Sequence, residues 1–405
     1  VDVGCDVDVA IVGAGLSGAL VALALARFCP HLRVAIIERA PQAGGNHTWS
    51  FHGSDLAGSR IEDAWPLVDP LVVYRWSEHE VRFPQFSRRM SGDYHAVTAD
   101  RLREVLDRMV KERGHAMFLG TGVRHVEAGR VDLDDGRVVK AGLVVDARGA
   151  GPPPVEGSGF QKFIGWEIER SAHCADFPAL PVIMDATVAQ ADGYRFVYVL
   201  PFSRRHALVE DTYFSRSPDI DGGAVRARLQ DYLSAQGWSR ARVVREEVGV
   251  LPMPWKSGVP VRQHPWEGLV VVGYAAGFFN AATGYSLPWA VDVALAIAQA
   301  GQNRARLAQA LADLEDRRRG QDRFFRLLNQ LAFCGVGDDA RRGVFARFYR
   351  LPEPLIRRFY ASSTTMLDRA RVLGGRPPAG FSLGALFAAR GLASPGDPEI
   401  TKEVS

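Results

Sequence analysis

The stretch Asp8-Val-Ala-Ile-Val-Gly-Ala-Gly-Leu-Ser-Gly18, followed by Val34-Ala-Ile-Ile-Glu38, decides the fold. A short apolar run ends on three glycines in a G-x-G-x-x-G spacing. A small-residue helix then runs from Ala19 to about Phe28, and a second apolar strand closes on an acid. In that order each part has a task in holding a dinucleotide. Gly13 permits the tight turn, Gly15 lets the backbone approach a pyrophosphate, and Gly18 lets helix pack close to strand. The helix N-terminus faces the negative charge. Glu38, twenty residues past Gly18, can accept both ribose hydroxyl protons. The competing reading, an ordinary βαβ unit with a Gly-rich turn, leaves Glu38 unexplained.

The rest of the chain fits a soluble globular protein of two or three subdomains. It has 405 residues, 47% hydrophobic and 23% charged, with a formal net charge of +3, so nucleic acid is not the expected main partner. Cys5, Cys29, Cys174 and Cys334 lie far apart with no C-x-x-C pair, which points to a reducing cytoplasm and to no metal site. The strand begins so early that no secretory leader is expected. The best membrane-span candidate, residues 268–282, is too short.

Further along, Gly44-Gly-Asn-His-Thr-Trp49 is a Gly-rich loop, and residues 100–110 carry helical apolar spacing. Strands surround the turn Asp134-Asp-Gly136, and Leu143-Val-Val-Asp146 is a buried strand ending near Gly149. Pro152-Pro-Pro154 marks a boundary into mostly antiparallel sheet over residues 160–250, where Tyr194, Phe196, Tyr198 and Phe202 alternate onto one face. At residues 268–277 the chain returns to the first domain and then enters a helix ending near Ala300. The expected fold class is α/β. A Rossmann-type domain (1–150 and 245–300) carries an inserted antiparallel sheet (151–244), a helical region (301–390) and a flexible tail (391–405). In the helical region arginines such as Arg317, Arg318, Arg341 and Arg357 interleave with Phe324, Phe333, Tyr349 and Phe359. That pattern suits an anionic membrane surface or, alternatively, a cap whose aromatics pack inward.

Within the sheet, Leu208-Val-Glu-Asp-Thr212 puts two acids mid-strand, where ionisation is costly unless the pKa rises and the group keeps its proton. Alternation sends Glu210 and Asp211 to opposite faces, and parity alone does not say which faces a pocket. An exposed edge pair is the competing reading.

These elements in this order resemble the FAD-dependent aromatic hydroxylases and related reductases. Within that superfamily the chain resembles the bacterial lycopene β-cyclases. The segments that carry the likeness are Gly44-Gly-Asn-His-Thr-Trp-Ser-Phe51, Pro181-Val-Ile-Met-Asp-Ala-Thr187, Leu200-Pro-Phe202, Leu208-Val-Glu-Asp-Thr212, Gly284-Tyr-Ser-Leu-Pro288 and Arg347-Phe-Tyr-Arg-Leu-Pro352. They cover almost the whole chain, from near residue 6 to near residue 378. Flavin hydroxylases usually carry Gly-Asp-Ala-Ala where this chain has Gly273-Tyr274-Ala-Ala276, a departure shared with the cyclases.

The resemblance implies a redox-neutral isomerisation that closes β-ionone rings on lycopene, through γ-carotene to β-carotene. A proton adds to the terminal double bond, a neighbouring double bond attacks the tertiary cation, and a proton leaves. Of the acid pair it implies Glu210 as the proton donor, with Asp211 as a structural or tuning partner. It implies FAD, active in its reduced form, with NAD(P)H as the initial reductant. The expected cofactor residues are Gly13, Ala14, Gly15, Gly18, Glu38 and Arg39, then Gly45, Asp146 and Gly149, and finally Gly273, Tyr274, Gly277, Gly284 and Tyr285. Trp49, Phe196, Tyr198 and Phe202 are candidates to line the path of lycopene or another ψ-end carotene, with sheet core as their alternative role. His47 is a weaker candidate, as a flavin-orienting group or a base. A water-insoluble substrate implies peripheral contact with the inner membrane from the cytoplasmic side. An FAD monooxygenase or polyprenyl reductase of the same fold is the rival reading, distinguished by a product that gains oxygen or hydrogen. A carotenoid carrier is disfavoured because it needs no buried acid.

Overall fold

The computed structural model describes residues 5–56, 61–149, 156–256 and 266–374. The Pro152–Pro154 boundary and the tail from residue 391 lie outside them. In chain order, β1 (Cys5–Val12), α1 (Leu16–Phe28) and β2 (Val34–Ile37) form the expected unit, with β1 and β2 parallel. Next come β3 (Thr48–His52), α2 (Ile61–Val68), β4 (Tyr74–Phe83), β5 (Phe86–Thr98) and α3 (Ala99–Arg113). The chain then forms β6 (Ala116–Phe118), β7 (Val123–Glu127), β8 (Arg130–Leu133) and β9 (Val138–Asp146). The second half opens with β10 (Ser158–Glu169), β11 (Val182–Asp185), β12 (Tyr194–Pro201), β13 (His206–Ser215), α4 (Gly222–Ala235) and β14 (Arg242–Pro254). It ends with β15 (Leu269–Val271), α5 (Leu287–Ala300), α6 (Arg304–Cys334), α7 (Asp338–Phe348), α8 (Glu353–Tyr360) and α9 (Met366–Leu373).

Two sheets organise these elements. The first runs β6-β2-β1-β9-β8-β7, with β15 also paired to β9; β6, β2, β1, β9 and β15 are parallel. Both α1 and α5 are mostly apolar and packed with alanine, so most of their residues are buried against each other and this sheet. Gly18 makes the close packing possible: a Cβ there would stand 1.9 Å from the Gly13 carbonyl oxygen.

The second sheet runs β14-β10-β13-β12-β11-β4-β5-β3 and is antiparallel except where β11 meets β4. Its membership differs from the division read along the sequence. Strands β3, β4 and β5 belong to it although they lie inside residues 1–150, and β14 carries it on to Pro254. Segment order along a chain does not report pairing, because hydrogen bonding between distant strands is decided in three dimensions.

The C-terminal helices cap the second sheet. Phe324, Phe325, Phe333, Tyr349, Phe359 and Tyr360 are buried, so these aromatics form core and not an exposed membrane face. Its arginines are largely spent on local pairs, Arg318 and Arg326 with Asp322, and Arg358 with Asp368. Arg341 is fully buried, donating to the carbonyls of Ala332 and Phe214. Among the described residues, the large apolar side chains left exposed in the cap are Met366, Leu367 and Leu373 on α9. Among the described residues no helix is long and apolar enough to cross a membrane.

Candidate active site

A cavity of about 820 Å³ lies between the two sheets, bounded at one end by Glu38 and Arg39 and at the other by Tyr198 and Glu210. Its first end is the glycine turn. Gly13 has φ +101°, and a Cβ on it would press within 2.6 Å of the Ala147 carbonyl, so the protein itself requires glycine there. Gly15 is different. It caps α1 at φ −73°, an angle open to any residue, and a Cβ on it would meet nothing within 4 Å. The protein's own packing gives no reason for glycine at 15; a group lying against the turn does. Glu38 accepts from the backbone N–H groups of Ala14 and Ala40, both at 2.8 Å, which orients its carboxylate at the cavity rim. The first-turn N–H groups of α1, which have no partner within the helix, stand beside this carboxylate and the open space, so the residues present fit a dinucleotide.

Of the remaining expected cofactor residues, Gly45, Gly149, Gly273, Tyr274, Gly284 and Tyr285 line the cavity. Ala14, Gly18, Asp146 and Gly277 are not among the lining residues. Asp146 is engaged by Arg148 at 2.6 and 2.9 Å, and Gly277 ends a single 3-10 turn at φ +75°. Tyr274 is half-buried, stacked on Phe279 at 4.4 Å, and its hydroxyl donates to the Gly284 carbonyl. It therefore ties two cavity loops together and does not offer a free hydroxyl in place of the hydroxylase aspartate.

The far end is built by the sheet. One row crosses four strands on a single face: Tyr198 of β12 pairs with Glu210 of β13, Glu210 with Gly165 of β10, and Gly165 with Glu247 of β14. Glu210 lines the cavity and takes a 2.7 Å hydrogen bond from the Thr212 hydroxyl. Burial first, and the neighbouring Glu247 charge second, push its pKa up to about 8, so it keeps its proton at neutral pH. Asp211 faces the other way, as alternation requires. It is fully buried against Arg195 (2.8 Å) and the Tyr213 hydroxyl (2.6 Å), away from the cavity.

The candidate substrate residues divide. Trp49 and Tyr198 line the cavity. Phe196 and Phe202 line neither this cavity nor its neighbour: Phe196 packs between Tyr194 and Tyr198, and Phe202 stacks on Tyr74 at 4.2 Å. Their role is core. His47 lines the cavity edge-on to Trp49 and Phe163, and burial together with Arg245 lowers its pKa, leaving it neutral. A second cavity of about 670 Å³, walled by apolar residues of α6 to α9 such as Leu328, Phe345, Phe348 and Leu373, shares Tyr198, Thr283 and Tyr285 with the first.

Sequence reading missed Glu247 and Arg245. Arg245 contacts Glu167 and Glu247, both at 3.1 Å, and donates to Asn46 Oδ1 and Thr48 Oγ1 at 3.1 Å. Glu247 accepts the Thr48 N–H at 2.9 Å. The Gly44–Thr48 loop is thus pinned to β14 by charges nearly 200 residues away, a contact that only the folded chain brings together.

A glycine turn at the C-terminal ends of parallel strands, facing an antiparallel sheet across one cavity, is a fold shared with solved monooxygenases and reductases. Over 95% of this chain and 96% of its own, the structure of a geranylgeranyl bacteriochlorophyll reductase-like protein from Thermoplasma acidophilum superposes with TM-score 0.61 at 15% identity. A probable FAD-dependent monooxygenase from Pseudomonas aeruginosa gives 0.58 at 18% identity, covering 85% and 100%. Residues 8–385 match the lycopene cyclase protein family. The lycopene beta-cyclase of Pantoea ananas is 41% identical over 92% of this chain and 95% of its own length, and that of Pseudescherichia vulneris is 38% identical over 92% and 94%. The chain belongs to the lycopene cyclase family.

Proposed function

We propose that the chain closes β-ionone rings on lycopene with Glu210 as the proton donor, in a site that also holds FAD. The observation that carries this reading is the placement of a neutral, half-buried acid in the same cavity as the glycine cradle. An alkene is a very weak base, so its protonation needs an undissociated acid held in a dry pocket and aimed at one carbon. Glu210 meets that need, with its O–H bond breaking as the terminal C–H bond forms. Attack by the neighbouring double bond closes the ring, and loss of a proton restores the acid, so nothing is oxidised or reduced overall. Tyr198 beside Glu210, together with Trp49 and Tyr285, presents aromatic faces to the cation.

Gly13, Gly15, Glu38, Arg39 and the Gly44–Gly45 loop would hold the dinucleotide, with Gly284 and Tyr285 beside the ring system. Reduced FAD, when bound, supplies an electron-rich ring near the cation, and NAD(P)H serves to reduce it beforehand. The second cavity, joined at Tyr198 and Tyr285, accommodates the rest of the polyene. Its wall includes Val372 and Leu373 of α9, next to the exposed Met366 and Leu367. The cavity thus adjoins a patch suited to peripheral contact with a bilayer on the cytoplasmic face.

The test is expression in a lycopene-accumulating bacterium, with pigments separated by chromatography. The wild type should yield β-carotene of unchanged mass. A flavin-loaded Glu210→Gln protein that still makes β-carotene at the normal rate would remove Glu210 as donor.

A further inference from the structure

Glu247 is a carboxylate that the reaction as described does not use, and its setting is unusual. It is 2% exposed, and its Oε1 is buried with no hydrogen-bond partner. Its other oxygen, Oε2, is anchored by the Thr48 N–H and by Arg245. Between Glu247 and Glu210 stands Gly165, whose missing side chain leaves a gap. A Cβ there would lie 3.1 Å from Cγ of Glu247 and 3.3 Å from Cβ and Cγ of Glu210. The two acid side chains therefore converge over a glycine, two strands apart.

Charges around this gap do not balance if every acid is ionised. Arg245 is shared by Glu167 and Glu247, while Glu210 has a hydroxyl neighbour, Thr212, and an aromatic one, Tyr198. His47 is neutral, and Asp211 is on the opposite face, committed to Arg195. One carboxyl must stay protonated, and the acid without the cation is Glu210.

We infer that Glu247 is a positioning residue for the proton of Glu210: the acid of the pair that ionises first, fixed by Arg245 and the Thr48 N–H, whose charge acts across the Gly165 gap to hold one proton on the cavity-facing acid. The inference rests on Glu210 being the donor. Proton transfer to the alkene leaves two adjacent carboxylates, a state relieved when the proton released on ring closure re-forms the O–H bond. The pair thus keeps the donor protonated between turnovers and favours recapture of the proton, without any co-reactant.

The test is the pH profile of Glu247→Gln. Activity requires protonated Glu210, so wild-type cyclisation falls as pH rises, with its alkaline limb near 8. Removing the neighbouring anion should move that limb down by about one unit or more. A merely structural role would lower the plateau and leave the limb in place, and a folded, flavin-loaded Glu247→Gln enzyme with an unmoved limb overturns the inference. Infrared titration of carboxyl bands in the apo protein gives a second readout that needs no activity. In Glu247→Gln the ionisation of Glu210 should shift to lower pH than in wild type; an unchanged midpoint shows independent acids and also overturns it. If Glu210→Gln instead retains cyclisation, the donor assignment fails on its own, and the infrared result still decides the coupling.

Discussion

Replacing Gly15 and Gly18 by alanine, one at a time, separates what the glycines do for the fold from what they do for a ligand. For Gly15→Ala in the apo protein the structural cost is small. The backbone angles suit alanine, and its methyl group enters open space. Alanine is a poorer helix cap than glycine by up to about 1 kcal/mol. Restricting the unfolded chain returns about 0.4–1 kcal/mol. The apo melting temperature should therefore move by no more than about 2 °C. Gly18→Ala forces its methyl to 1.9 Å from the Gly13 carbonyl oxygen and 3.2 Å from Ile11. The obstacle is backbone, which cannot swing aside, so the penalty is overpacking of about 3 kcal/mol and a fall of several degrees. Cofactor affinity should respond at Gly15. A methyl on the turn keeps a pyrophosphate off the N–H groups, losing one charge-assisted hydrogen bond of about 1.5–3 kcal/mol. That corresponds to about 10- to 100-fold weaker FAD binding. Scanning fluorimetry of apo protein and flavin titration measure the two effects. Wild-type FAD affinity in Gly15→Ala, or a loss of apo stability equal to that of Gly18→Ala, would refute the reasoning.

Glu210→Gln should retain fold and flavin while losing about two to four powers of ten in cyclisation, read by chromatography of products. Asp211→Asn should act on stability instead: it leaves the buried Arg195 uncompensated, at a cost of about 3 kcal/mol in thermal or urea unfolding, with smaller loss of turnover per folded molecule. The pair of raised acids, Glu210 up to about 8 and Glu247 up to about 7, contributes to the pH dependence of apo stability. The folded pair binds more protons than the same two groups in the unfolded chain between about pH 4.5 and 8, so its contribution falls as pH rises through that window, by about 1.4 kcal/mol per pH unit for each proton of difference. Urea titrations should show the slope reduced in Glu210→Gln, and an unchanged slope contradicts the assignment. Met366→Ser with Leu367→Ser should weaken flotation with anionic liposomes while leaving the melting temperature within about 2 °C, since both side chains are exposed.

Features whose physics is local are legible in the amino-acid order alone. The G-x-G-x-x-G turn, its helix, its partner strand and Glu38 are neighbours along the chain, and strand alternation is enough to send Glu210 and Asp211 to opposite faces. Whatever depends on distant strands meeting is settled only by the folded chain. The Tyr198–Glu210–Gly165–Glu247 row is drawn from four strands between residues 158 and 254, and no periodicity within one strand reports its register with another. Without that register Glu247 reads as one more acid in Arg245-Glu-Glu247, and Gly165 as a weak point in β10. The aromatics are ambiguous for the same reason. An alternating face tells that Phe196, Tyr198 and Phe202 point one way, but whether that side holds core or cavity depends on what packs above it. Above Phe196 and Phe202 lie other aromatics; above Tyr198 lies open space. In the C-terminal cap the same holds at larger scale: composition shows arginine and aromatic residues interleaved, and packing on the second sheet turns the aromatics inward and leaves Met366 and Leu367 facing out.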